Sequence, residues 1–288
     1  MNLKQALALT LGPQAGLVKN SFDVIGSVAV IEIPDELVRK QQLIAKTMLS
    51  RYSNLKTICK KAGEREGEFR LRRLVKIAGN GTKTIHKEHG YQLALDVRKA
   101  YFSPRESTER QRIASCIRPR ERVLVLFAGI GPFCIAIAKK QPLARVIGIE
   151  SNPYAVKFFE ENVKINKVRD TVTPLLGDVR KAALPFIGKC DSVVMPLPTE
   201  AHRFLPLAFR CLKKGGTVHF YSVGERNNPF EEPTKKLVAA AKKAGITFTI
   251  LHQQAVLPFG PGKTKVCLDV KVRQRRGQSA PAAAGTSV

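Results

Sequence analysis

The spacing of apolar residues changes period several times along the chain. Residues 22–33 (FDVIGSVAVIEI) are almost continuously apolar around Gly26, which reads as a strand pair or one long bent strand. Pro34 and Asp35 then open a helix in which Leu37, Val38, Leu43, Ile44, Met48 and Leu49 recur at helical spacing. Runs at 55–59, 68–77, 83–88 and 91–97 read as short strands, parted by glycine turns such as 78–81. Ser103 and Pro104 interrupt the pattern, and 105–118 reads as a helix. From 122 onward strand and helix alternate. Strands fall near 122–127, 145–150, 172–176 and 190–195, with helices at 132–140, 153–166 and 199–212. Later strands fall near 216–222, 246–253 and 264–272, with a helix at 232–244. Such alternation calls for a parallel sheet covered on both faces. The loop joining the last two strands, with Pro258, Gly260, Pro261 and Gly262, is too short for a crossover helix, so those strands pair antiparallel.

This pattern divides the chain into a short N-terminal segment without a clear element (1–20), an α+β domain (21–100), a linker helix (101–121) and an α/β domain (122–274). The tail from 275 to 288 lacks a hydrophobic pattern and is expected to be disordered.

Charge changes the picture more than composition does. Against 23 Asp and Glu stand 49 Lys and Arg, a formal net charge of +26, which points to a polyanionic partner and first of all to nucleic acid. Eleven Lys and Arg against four Glu lie between Glu36 and Arg73, so an RNA-docking surface is expected in the N-terminal domain. No run approaches the ~18 apolar residues of a membrane span, and the start of the chain is too weakly apolar for a signal peptide. Six cysteines without a C-x-x-C pair read as buried free thiols of a reducing cytoplasm. The five histidines show no metal-ligand spacing. A cytoplasmic monomer without a metal is expected.

Candidate chemistry gathers at the first strand of the α/β domain. The run Val123–Phe127 leads into a tight turn with Gly129 and Gly131, then a helix, then a second strand that ends on Glu150, about 20 residues after the glycines. Glycines admit a ligand to the backbone, a helix start favours an anion, and the acid can accept hydrogen bonds from two ribose hydroxyls. The incomplete G-x-G-x-x-G argues against a dinucleotide, and S-adenosylmethionine fits better. Arg105 and Glu109, four apart, share a helix face, as a surface ion pair or as a catalytic pair. Asp178 at a strand end reads either as an acid near the cofactor's adenine or as an N-cap. The turn after Met195, with Pro196 and Pro198, either holds a flat base through backbone carbonyls or simply ends a strand. Arg70, Arg72 and Arg73 could grip phosphate or stabilise a developing negative charge.

The order of these pieces resembles the archaeal and eukaryotic tRNA (guanine-37-N1)-methyltransferase family. The resemblance covers residues 20–273 and rests on SFDVIGSVAVIEIP (21–34), KAGEREGEFRLR (61–72), TIHKEHG (84–90), YFSPRESTER (101–110), FAGIGPF (127–133), ESNPYAV (150–156), MPLPTEAHRFL (195–205) and GGTVHFYS (215–222). It implies a class I methyltransferase fold: a Rossmann-like, mostly parallel sheet with an antiparallel C-terminal hairpin, beside a smaller N-terminal α+β domain. It implies transfer of the methyl group of S-adenosylmethionine to N1 of the guanosine next to the tRNA anticodon. Glu109 would be the general base. Arg105 and an arginine at 70 or 72, with Arg70 preferred, would assist. Phe127, Gly129, Gly131, Glu150, Asn152, Asp178 and Pro196 would line the cofactor site.

The chain departs from the family pattern in three places. Val125 stands where the common motif has aspartate, and Pro196 where it has asparagine. The family's small N-terminal domain is expected to be absent or vestigial before residue 20. Two other readings stay open. One is the related wybutosine-pathway enzyme that transfers the aminocarboxypropyl group of the same cofactor, although Ser103–Arg105 and Gly131–Phe133 side with the methyltransferase branch. The other is an RNA-binding protein with an inactive fold, which Val125 and Pro196 would support.

Overall fold

The computed structural model describes residues 3–19, 21–66, 69 and 71–273. Arg70 and the tail from 275 onward lie outside the described residues. The chain divides into two compact units, the first ending at Ala182 and the second beginning at Ala183.

The first unit opens with α1 (Leu3–Leu11) and a 3₁₀ turn over Gly12–Leu17, where the sequence pattern shows no clear element. Leu3, Leu7 and Leu11, spaced by four, form one helical stripe and are buried with Ala29, Leu37, Ile44, Met48 and Ile58. The N-terminal segment is thus part of the first core. Strands β1 (Asp23–Ile25) and β2 (Val28–Ile31) make a tight antiparallel pair. Gly26 turns between them at φ +55, where a Cβ would lie 2.2 Å from Thr84 Oγ1. A 3₁₀ stretch then runs into α2 (Gln41–Arg51), followed by β3 (Thr57–Glu66) and β4 (Leu71–Gly79). The sheet order is β1-β2-β3-β4, with β2 and β3 parallel and β3 and β4 antiparallel. Strands β5 (Lys83–Glu88) and β6 (Tyr91–Asp96) form a separate hairpin.

After a 3₁₀ turn over Pro104–Glu106 come α3 (Ser107–Cys116), β7 (Arg122–Leu126), α4 (Pro132–Lys140), β8 (Arg145–Glu150), α5 (Pro153–Ile165), β9 (Val172–Leu176) and α6 (Val179–Ala182). Strands β7, β8 and β9 are parallel neighbours. Two buried asparagines of α5 and its C-cap dock the β5–β6 hairpin. Asn162 accepts from the Ala94 N–H (2.6 Å) and donates to the Ala94 and Ile130 carbonyls, while Asn166 accepts from the Gln92 N–H (2.9 Å). They satisfy the open edge of β6 with side-chain amides in place of another strand.

The second unit holds β10 (Cys190–Met195), α7 (Leu205–Cys211), β11 (Leu212–Glu225), α8 (Glu231–Ala244), β12 (Thr247–Gly260) and β13 (Lys263–Arg273). Here β10 and β11 run parallel, while β13 pairs antiparallel with both β11 and β12. The expected late hairpin is present, with strands longer than the sequence pattern suggests. All six cysteines are free, and five are buried; Cys116 is exposed, against expectation. Among the described residues no helix is long and apolar enough to cross a membrane.

Candidate active site

The first unit builds a turn between β7 and α4 from residues with unusual backbone geometry. Phe127, Gly129 and Gly131 all have positive φ, at +59, +56 and +81. For Phe127 this left-handed conformation is uncommon, and such strain gathers where a site needs a fixed backbone. The two glycines serve different purposes. At Gly131 a Cβ would lie 2.1 Å from the Phe159 ring, and at Gly148 of β8 2.5 Å from the same ring. Phe159 of α5 therefore fills the space both glycines leave, locking helix to strand. Around Gly129 only the Tyr101 carbonyl oxygen comes within 4 Å of an added Cβ, at 3.8 Å. Gly129 presents the open side of the turn, where a ligand can approach.

Glu150 ends β8 opposite that turn. Its Oε2 accepts from the Gly129 N–H at 2.8 Å and its Oε1 from the Asn152 N–H at 2.9 Å. The Gly129 amide thus holds the acid in place. Burial pushes the Glu150 carboxyl above the usual carboxylate range, and the amides of Asn152, Gly129 and Ser151 act against that rise. Each oxygen keeps a lone pair, so two neighbouring ribose hydroxyls could donate into a carboxylate already fixed in position.

The other expected cofactor residues have structural work in this geometry. Asn152 is the N-cap of α5: its Oδ1 accepts from the Tyr154 and Ala155 amides, and its Nδ2 donates to the Lys99 carbonyl at 2.9 Å. Both ends of its side chain are engaged, and so is its backbone: the N–H donates to Glu150 and the carbonyl accepts from the Val156 N–H at 3.0 Å. Asp178 follows β9 and accepts from the Arg180 N–H (2.8 Å), while Arg180 Nη2 reaches its Oδ2 at 2.6 Å. The Arg180 contact holds the Asp178 carboxyl below its usual range. Asp178 thus caps the short helix α6. Val125 is fully buried in β7, opposite Gly148.

Arg105 and Glu109 do not pair with each other. Arg105 sits in the 3₁₀ turn, outside the register of α3, and its Nε reaches Asp23 Oδ1 of β1 at 2.6 Å. Glu109, only 5% exposed, is held on both oxygens by Arg112, at 2.7 and 2.8 Å. Arg72 is half-buried and Arg73 exposed on β4.

Next to Glu109 lies a cluster that sequence reasoning missed. Arg110 is 1% exposed; its Nε and Nη2 each reach a different oxygen of Glu88 at 2.6 Å, and its Nη1 donates to the Ser103 carbonyl at 3.1 Å. The guanidinium also stacks on Phe102, and Tyr91 Oη donates to Glu88. His86 Nδ1 accepts from the Gly26 N–H at 3.2 Å and its Nε2 lies 3.6 Å from Glu88. This cluster ties the β5–β6 hairpin, the strap at 102–103 and the start of α3 into one rigid piece. Its one visible signal is that Glu88 and Arg110 both fall inside the motifs TIHKEHG and YFSPRESTER.

In the second unit β10 ends at Met195, and Pro196, Leu197 and Pro198 follow as a half-buried turn in which Leu197 O accepts from the Ala201 N–H at 3.1 Å. Among the described residues no three His, Cys, Asp or Glu side chains gather as metal ligands.

A family model described as the TRM5/TYW2 methyltransferase domain matches residues 84–249. The chain belongs to this family. A second model, described as the TYW2 N-terminal domain, matches residues 3–82 and includes the N-terminal segment that looked indistinct. The tRNA (guanine(37)-N(1))-methyltransferase Trm5b of Pyrococcus abyssi is 40% identical over 253 residues, covering 88% of this chain and 74% of that protein. A tRNA(Phe) (4-demethylwyosine(37)-C(7)) aminocarboxypropyltransferase of Pyrococcus horikoshii is 33% identical over 249 residues, covering 86% and 87%. The crystal structure of Pyrococcus horikoshii TYW2 in complex with MeSAdo superposes with a TM-score of 0.81 at 28% identity, covering 95% of this chain and 98% of that one. The expected class I methyltransferase fold, with its N-terminal α+β part, is the fold of these TRM5/TYW2 proteins.

Proposed function

We propose that this protein is a tRNA methyltransferase that moves the methyl group of S-adenosylmethionine to N1 of guanosine-37. The observation that carries the reading is the open Gly129 turn clamped to Glu150, in a chain 40% identical to a tRNA (guanine(37)-N(1))-methyltransferase. The bound cofactor supplies an electrophilic methyl carbon on a sulfonium. N1 of guanine carries a proton at neutral pH and is a poor nucleophile until that proton leaves. Glu109 takes it, with the two Arg112 contacts holding its carboxylate in place. Negative charge then spreads to O6, where Arg105 or Arg70 can stabilise it. An RNA transcript incubated with cofactor labelled on the methyl group tests the reading directly, since the label must reach the RNA.

Aminocarboxypropyl transfer is the second reading. It is favoured by the match of residues 3–82 to the TYW2 N-terminal domain and by the 98% coverage of the TYW2 chain. Cofactor labelled on the carboxypropyl group decides between the two.

Glu150→Ala is expected to weaken cofactor binding at least ~10-fold by calorimetry, because a hydrogen bond to a charged group is worth ~1.5–3 kcal/mol. An unchanged dissociation constant would remove Glu150 from the ribose. The net charge of +26 makes tRNA binding steeply salt-dependent. If six to ten phosphates are neutralised, affinity falls ~10³–10⁵-fold between about 50 and 200 mM salt. A flat plot of log K against log salt would contradict an electrostatic docking surface.

A further inference from the structure

We propose that the second unit carries a pocket for a nucleotide adjoining the target guanosine; this rests on the reading of the protein as a tRNA-modifying enzyme. A cavity of about 330 Å³ opens beside the turn after β10. Pro198 and Thr199 line it, in the turn whose backbone carbonyls read as a holder for a flat base. Its far wall is Phe259 and Lys263, at the end of the β12–β13 hairpin, with Glu225 across from Lys263 in the β11–β13 register. Lys236 of α8 completes it.

The walls are preformed. A Cβ on Gly224 would lie 2.1 Å from the Pro229 carbonyl oxygen, so the loop after β11 folds directly onto the strand. The Arg226 N–H donates to the Gly262 carbonyl at 2.7 Å, which ties that loop to the hairpin turn.

The chemistry of the walls matches a nucleotide in three parts. Phe259 is half-buried and offers a ring on which a base can stack, whatever its sequence. The side chains of Lys236 and Lys263 make no hydrogen bond or ion pair among the described residues, and so remain available for a phosphate. The Glu225 carboxylate can accept from an exocyclic amino group, as on adenine, guanine or cytosine, but finds no amino donor on uracil. Glu232, the other acid of the wall, shares Lys235 with Glu231, at 3.3 and 2.8 Å. None of the residues that read as lining the cofactor site, Pro196 included, lines this cavity.

The reaction itself creates the need for such a pocket. N1 lies on the Watson–Crick edge, and an enzyme that works on that edge draws the base out of its stack. The neighbouring base loses a stacking partner at that moment. A ring and two cations beside the target turn would replace it and fix the backbone on one side.

The test is a cycle between protein and RNA. Phe259→Leu keeps apolar bulk and removes the ring. It is expected to weaken binding of the anticodon stem-loop at least ~5-fold, the lower end for loss of one stacked base, while the cofactor dissociation constant stays unchanged. An RNA with an abasic residue on the 5′ or the 3′ side of the target is then bound by both proteins. On one side, the abasic residue costs the wild type at least ~5-fold and costs Phe259→Leu nothing further; replacing that nucleotide by uridine also weakens wild-type binding. Lys236→Ala with Lys263→Ala is expected to reduce the salt slope by about two. Additive losses on both sides, or an unaltered affinity in Phe259→Leu, overturns the pocket. Failure of the function is read separately: no transfer of either label from cofactor to RNA by the wild type refutes the enzyme reading, whatever the binding cycle shows.

Discussion

Glu109→Gln slows single-turnover methyl transfer by at least ~10²-fold, the lower end of what a general base contributes. Glutamine keeps the size and planarity of the side chain and can still accept from Arg112 through its carbonyl oxygen. It loses the basic oxygen that would take the N1 proton. The residue is 5% exposed and held at 2.7 and 2.8 Å by Arg112, so the carboxylate reaches the reaction already oriented. Because the lost interaction acts mainly in the transition state, the dissociation constants for cofactor and tRNA stay near wild type. Primer extension reads the product independently: it halts beside position 37 on wild-type product, since a methylated N1 cannot pair, and reads through on variant product taken at the same time. Full single-turnover activity in Glu109→Gln would make the Glu109–Arg112 contact a purely structural ion pair, and the base would have to be sought elsewhere.

Local features were legible in the sequence; partnerships were not. Strands β7 to β10 and helices α4 and α5 lie within a residue or so of where periodicity places them, because each is a short apolar run bounded by glycine, proline or a cap. Glu150 was found by its distance from the glycines. Yet spacing could not tell Gly129, which faces open space, from Gly131, which exists to admit Phe159 from 28 residues away along the chain. Helix α1 was missed although Leu3, Leu7 and Leu11 mark its buried stripe, since so short a helix takes its stability from the core it joins rather than from its own sequence. The pairing of Arg105 with Glu109 fails for a related reason. Four-residue spacing means a shared face only inside one α-helix, and a 3₁₀ turn separates the two residues. What Arg105 finds instead is Asp23, and what Arg110 finds is Glu88; both partners come from strands far earlier in the chain.

The Glu88–Arg110 pair gives the largest expected effect on stability. Glu88→Gln should destabilise the first unit by about 3 kcal/mol near pH 7. Two arguments meet at that figure. Removing one partner of a buried pair typically costs ~3–5 kcal/mol, because the other charge stays buried without compensation; Arg110, 1% exposed, is in that position. Independently, burial tends to raise the Glu88 carboxyl, but hydrogen bonds from His86, Arg110 and Tyr91 outweigh it and bring it to about 2, against 4.5 for a free glutamate. At about 1.4 kcal/mol per unit of difference, that shift corresponds to roughly 3 kcal/mol. A folded-state value below the unfolded one contributes stability that is complete above about 4.5 and disappears as the pH falls toward 2. Wild type and Glu88→Gln should therefore differ most at neutral pH, with the gap narrowing through this window because the wild type loses what the variant never had. Urea midpoints at pH 7 and pH 3, followed on the first unit, measure both quantities. A gap equally wide at the two pH values would show that the loss comes from packing around the amide rather than from the charge of Glu88. A wild-type midpoint for the variant at pH 7 would mean that Arg110 finds another partner, and that the hairpin, the strap and α3 are held together by apolar contacts instead.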